Sequence, residues 1–136
     1  MFLGRLTTMA SKIRVLIADD HRLFAEALQS ILASDERIEV VGTARNGEEA
    51  VALASSTEPD VILMDIAMPG VDGVEATKQI RRNGPPASVL MLTGSNARAD
   101  VARARAAGAS AYVTKDRIAS QLLDAIMELA AGQDGK

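Results

Sequence analysis

Apolar and polar positions along this chain follow two alternating periods, and the alternation predicts five strand–helix units. Ile13-Arg14-Val15-Leu16-Ile17-Ala18 is a short β-branched run that Asp19-Asp20 stops. Leu23, Phe24, Ala27, Leu28, Ile31 and Leu32 then recur at the spacing of one helix face. Ile38 to Ala44 reads as a second strand. Asn46 is the expected N-cap of the next helix, with Glu49 reaching back toward it, and Pro59 closes that region. Val61-Ile62-Leu63-Met64 is a continuous apolar strand ending at Asp65. A loop with Pro69, Gly70 and Gly73 follows, Asp72 is the expected cap of a helix through Arg82, and Gly84-Pro85-Pro86 is a firm stop. Val89 to Leu92 is a fourth strand, ending at Thr93-Gly94-Ser95. A helix from Ala97 to Ala107 has Gly108 as its C-cap. Ala111-Tyr112-Val113 is a short fifth strand, and Ile118, Leu122, Leu123, Ile126, Leu129 and Ala130 face one side of a last helix ended by Gly132.

Continuous apolar strands alternating with helices imply a parallel sheet covered on both faces. Right-handed crossovers leave few topologies. The expected fold is α/β, a single domain with a doubly wound five-stranded parallel sheet in the flavodoxin-like order 2-1-3-4-5 and five helices. In such a sheet ligands bind at the carboxyl ends of the strands. Residues 1–11 read as a flexible leader, 12–132 as the domain, and 133–136 as the start of a linker or tail.

Composition agrees with one compact domain: 136 residues, 48% hydrophobic and 24% charged. With aromatics at 2%, the core must be built from Val, Ile, Leu, Met and Ala. Cysteine is absent, which excludes disulfides, thiolate metal sites and a cysteine nucleophile, and fits a reducing cytoplasm. His21 is the single histidine, so multi-histidine metal sites are excluded, and it reads as a solvent-facing first-turn residue. A formal charge of −3 argues against direct nucleic-acid binding, and no apolar stretch has the length of a membrane span.

The predicted strand ends bring Asp19, Asp20, Asp65, Thr93 and Lys115 to one edge. Like charges ~4 Å apart repel by roughly 4 kcal/mol at an effective dielectric of 20, so clustered aspartates shift upward in pKa unless a cation joins them. An all-oxygen set suits a hard ion such as Mg²⁺, which also binds phosphate. A carboxylate can act as nucleophile and form an aspartyl-phosphate, with a lysine and a metal neutralising the transferring group.

Four segments in order then resemble the receiver domains of two-component response regulators: Val15–His21, Val61–Gly73, Leu92-Thr93-Gly94 and Tyr112–Asp116. The Asp19-Asp20-His21 opening and the Lys115-Asp116 pair resemble the LuxR/NarL class. The resemblance implies that Asp65 accepts a phosphoryl group from a histidine kinase. It implies Mg²⁺ held by Asp20, Asp19, Asp65 and the backbone carbonyl of Ala67. Thr93 and Lys115 would contact the phosphoryl group, and Tyr112 would turn inward when Thr93 moves. Gly94 would leave room for that group, and Ala67 and Ser95 would tune its lifetime. The face of the fourth helix, fifth strand and fifth helix would switch, homodimers are expected for the class, and DNA would be bound only through an output domain outside these residues. Such a chain is a switch with slow autodephosphorylation, not a turnover enzyme. Three alternatives stand beside it. A dehalogenase-like phosphatase wants an Asp where Ala67 stands, a nucleotide binder wants a Gly-rich loop where Asp19-Asp20-His21 stands, and a pseudo-receiver would only bind proteins.

Overall fold

The computed structural model describes residues 12–94 and 98–134. The expected leader, Ser95 and Ala97 lie outside the described residues. The strands are β1 (Ile13–Ala18), β2 (Ile38–Ala44), β3 (Val61–Asp65), β4 (Ser88–Thr93) and β5 (Ala111–Thr114). The helices are α1 (Arg22–Ala33), α2 (Gly47–Thr57), α3 (Gly73–Asn83), α4 (Arg98–Ala107) and α5 (Ile118–Asp134), with a 3-10 turn at Lys115–Arg117 before α5. All strand pairs are parallel and the order is β2-β1-β3-β4-β5, as expected.

Strand side chains alternate between two cores, as a pleat requires. Leu16, Ala18, Ile62, Met64, Val89 and Met91 meet α2, α3 and α4. Val15, Ile17, Leu63, Leu90, Leu92 and Val113 meet α1 and α5. Both faces of the sheet are apolar at its centre, so β3 is buried at every position.

The caps form as read. The Asn46 side chain accepts from the Glu49 amide at 2.8 Å, while Glu49 accepts from the amide of Arg45, one residue further back than expected. The Asp72 side chain accepts from the Glu75 amide at 2.9 Å. Gly108 adopts φ +105°, a left-handed conformation that favours glycine.

Two helix readings need correction. Leu23 is 80% exposed and Ala27 is also exposed, so of the expected α1 stripe Phe24, Leu28, Ile31 and Leu32 reach the core, joined by Ala25. The i, i+4 spacing admits Leu23 to the stripe through Ala27, but both residues lie on the solvent side of the helix. Gly132 does not end α5, which continues to Asp134. Glycine in a helix costs only about 1 kcal/mol, which does not by itself stop one.

Candidate functional site

Asp19 follows β1 and continues its pairing: its amide donates to Ala44 O at 3.0 Å. The Asp19 side chain is fully buried, and its Oδ1 accepts the His21 amide at 2.8 Å, which draws the chain into α1. Asp20, alongside, is more open to solvent. Asp65 ends β3 with its side chain 3% exposed, and its Oδ1 accepts the Ala67 amide at 3.4 Å. Lys115 Nζ, at the end of β5, stands 3.5 Å from both Asp19 Oδ2 and Asp65 Oδ2. Those two buried oxygens have no hydrogen-bond partner. Thr93 is buried at the end of β4, one position past the residue that pairs with Asp65. The sheet thus gathers Asp19, Asp20, Asp65, Thr93 and Lys115 at one edge.

Tyr112 is set apart. It registers with Met91 on the α4 side of the sheet, and its side chain is turned outward at 38% exposure. Together with Ala104, Arg105 and Ala109 it borders a surface cavity of about 410 Å³. The Lys115–Asp116 bond is trans.

The loop between Asp65 and α3 is pinned at both sides by glycines. The Gly47 amide donates to Val71 O at 3.0 Å, and a Cβ on Gly47 would lie 2.0 Å from that oxygen. A Cβ on Gly73 would lie 2.1 Å from the backbone oxygen of Asp65. In the sequence Gly73 is one of the loop glycines and Gly47 is part of a helix start. Only the tertiary fold shows that each permits a backbone approach.

His21 is 65% exposed, as expected, yet its Nδ1 lies 3.2 Å from both Asp19 Oδ1 and Asp20 Oδ1 and 3.7 Å from Asp65 Oδ2. Its partners come from two strand ends, so no sequence spacing marks it. Ligand atoms of Asp19, Asp20, His21 and Asp65 lie within 4.8 Å of one another.

The electrostatics follow from this crowding. Burial, reinforced by the Asp19 charge, pushes the Asp65 carboxyl up to about 6, against the pull of Lys115. Asp65 is therefore mostly ionised at neutral pH, and desolvated. Buried carboxylate oxygens without a hydrogen bond are costly, and hard oxygen donors of this kind fit a divalent cation such as Mg²⁺. Ala67, two positions past Asp65, places no acid or base there. An open cleft of about 430 Å³ reaches Asp19 and Asp20 between α1 and the end of β2, with Arg22 and Arg45 at its rim.

A parallel five-stranded sheet with an acidic edge and an apposed lysine defines the receiver class, and the comparisons agree. Residues 15–127 match the family described as the response regulator receiver domain. The chain belongs to that family. It is 43% identical over 120 residues to the transcriptional regulatory protein LnrK of Bacillus subtilis, covering 88% of this chain and 54% of that one. Among solved structures it resembles the receiver domain of the response regulator NarL from Mycobacterium tuberculosis, with a TM-score of 0.86, 34% identity, and 90% and 98% of the two chains covered. It also resembles a CheX–CheY–BeF3–Mg complex from Borrelia burgdorferi, with a TM-score of 0.81, 26% identity, and 90% and 92% covered. The chain spans about half the length of the curated relatives it matches, 54% for LnrK and 52% for the DegU of Brevibacillus brevis. Among the described residues no helix is long and apolar enough to cross a membrane.

Proposed function

We propose that this chain is a Mg²⁺-dependent phosphoacceptor whose nucleophile is Asp65. The observation that carries this reading is the buried Asp65 Oδ2, which has no hydrogen-bond partner and faces the Lys115 ammonium. In the reaction an Asp65 carboxylate oxygen attacks the phosphorus of a phosphohistidine on a histidine kinase. The P–O bond forms, the P–N bond breaks, and the imidazole leaves with the bonding pair and takes up a proton.

Asp19, Asp20 and Asp65, with the carbonyl of Ala67, are the residues that would hold Mg²⁺. When bound, the ion supplies positive charge that offsets the charge on the phosphoryl oxygens. Lys115 offers an ion pair to one of those oxygens, and the Thr93 hydroxyl offers a hydrogen bond to another. The CheY similar in fold was solved with BeF3 and Mg, which is consistent with this ligand set. Ala67 brings no side chain to activate water, so autodephosphorylation is slow and the chain acts as a switch rather than a turnover enzyme.

Modification draws Thr93 toward the phosphoryl group, opens space for Tyr112 to turn inward, and alters the face of α4, β5 and α5. Residues 12–132 form the receiver unit. The relatives named as transcriptional regulators support an output through DNA, made by a domain outside these residues. In this reading a homodimer is the switched state and the cytoplasm is the setting.

The test is intact-mass spectrometry after incubation with a small acyl phosphate and Mg²⁺, and separately with a phosphorylated histidine kinase. One phosphoryl group is gained, and the gain is lost in Asp65→Asn and on chelation of the metal. A folded protein that gains nothing from either donor contradicts the proposal and leaves a protein-binding module.

A further inference from the structure

Lys115 is held from a side that the carboxylates do not occupy. Its Nζ lies 4.5 Å from the centroid of the Phe24 ring, on the first turns of α1. The same nitrogen is 3.5 Å from Asp19 Oδ2 and from Asp65 Oδ2, outside the 2.7–2.9 Å of a charge-assisted hydrogen bond. Phe24 is half-buried and packs against the core shared by α1 and α5. Its ring is thus fixed by the fold, whereas a lysine stem is flexible and loses rotamer freedom when ordered.

We propose that Phe24 is a positioning residue for Lys115: the ring face holds the ammonium above Asp19 and Asp65, short of closing a hydrogen bond with either. The inference rests on the receiver reading and deepens it. An aromatic face attracts an ammonium through its quadrupole without offering a competing acceptor oxygen. Lys115 is therefore kept beside the carboxylates, its side chain 24% exposed, while its N–H donors stay available for a phosphoryl oxygen. A carboxylate in place of the ring would tie the ammonium down, and an aliphatic side chain would let it swing outward. α1 follows the metal-binding pair Asp19-Asp20 directly, so one segment orients both the acidic cluster and the cation.

The test pairs Phe24→Leu, which keeps apolar bulk, with Phe24→Tyr, which keeps the ring. Two quantities are read: the ring-current shift of the Lys115 Cε protons by NMR, and the rate of phosphoryl gain from a small acyl phosphate at saturating Mg²⁺. The parent shows upfield-shifted Lys115 Cε signals. Phe24→Leu loses that shift and is phosphorylated roughly three- to tenfold more slowly, the effect of one partly desolvated cation–π contact. Phe24→Tyr restores both, and Mg²⁺ affinity by calorimetry is the same in all three proteins. A Phe24→Leu protein that loses the shift but reacts at the parent rate or faster overturns the proposal. Equal slowing in the Leu and Tyr variants overturns it too, because it assigns the effect to packing. A parent without the ring-current shift overturns the placement of Lys115 while leaving the Asp65 chemistry intact. A parent that gains no phosphoryl group from any donor overturns the receiver reading itself, and this role of Phe24 with it.

Discussion

The two sides of the Asp65 loop are built differently. Toward α2 and α3 the chain is locked by backbone against backbone: Gly47 on Val71, Gly73 on Asp65, and an Asp72 cap on the α3 amides. α3 itself buries Val74, Ala76, Thr77 and Ile80. Toward α4 the contacts are thin. Among its described residues α4 buries only Ala104 and Ala107, and Arg103 ties it to Asp72 through a solvent-exposed ion pair at 3.5 Å. Burial is worth about 25 cal/mol per Å² of apolar surface, so the alanines of α4 anchor it far less than Val74 and Ile80 anchor α3. The difference separates two tasks. The locked side holds Asp65 and its loop in place, and the lightly held side is the one that the proposed switch would move.

The largest expected effect comes from breaking the locked side. Gly73→Ala puts a methyl group where the Asp65 carbonyl stands, and we expect a loss of about 3 kcal/mol or more in urea unfolding, with weakened Mg²⁺ binding because the Asp65 loop must move. Gly47→Ala acts the same way through Val71. A change below ~1 kcal/mol in either variant would show the loop to be as loose as α4.

The next effect is electrostatic. The folded-state pKa of Asp65 is raised to about 6, so the folded protein binds this proton more tightly than the unfolded chain does. Stability from this group is therefore greatest below the unfolded value and falls as pH rises from about 4 to about 6, by roughly 2–3 kcal/mol. Unfolding measured across that window without metal shows the decline, and Asp65→Asn removes it and is more stable than the parent at neutral pH. Added Mg²⁺ restores stability to the parent above pH 6. If Asp65→Asn is less stable than the parent at neutral pH, Asp65 is not a destabilised charge.

The smallest effect sharpens the other side. Arg103→Ala removes two exposed ion pairs, to Asp72 and to Asp100, so global stability changes by less than ~1 kcal/mol while amide exchange within α4 quickens. A global loss comparable to that of Gly73→Ala would mean that α4 is held as firmly as α3.

Much of the site was legible in the sequence because a parallel sheet sends every strand's carboxyl end to one edge. Locating the ends of β1, β3, β4 and β5 was enough to gather Asp19, Asp20, Asp65, Thr93 and Lys115. The thinness of α4 was legible too, in its run of alanines and arginines. What was not legible depends on where elements land against each other. His21 lies over the carboxylates and Phe24 against Lys115 because α1 leaves β1 at one particular angle, and no spacing records that angle. Leu23 fits a helical stripe in one dimension and faces water in three. Gly47 and Gly73 look like ordinary loop and cap glycines until the backbone each one faces is known.

The most direct test of the two-sided account is amide hydrogen exchange by mass spectrometry, with and without the phosphoryl group on Asp65. The account predicts that exchange changes in α4 and β5, residues 98–114, while the loop at 66–72 and α3 at 73–83 keep their protection. Equal changes in α3 and α4, or a change confined to α3, would contradict it.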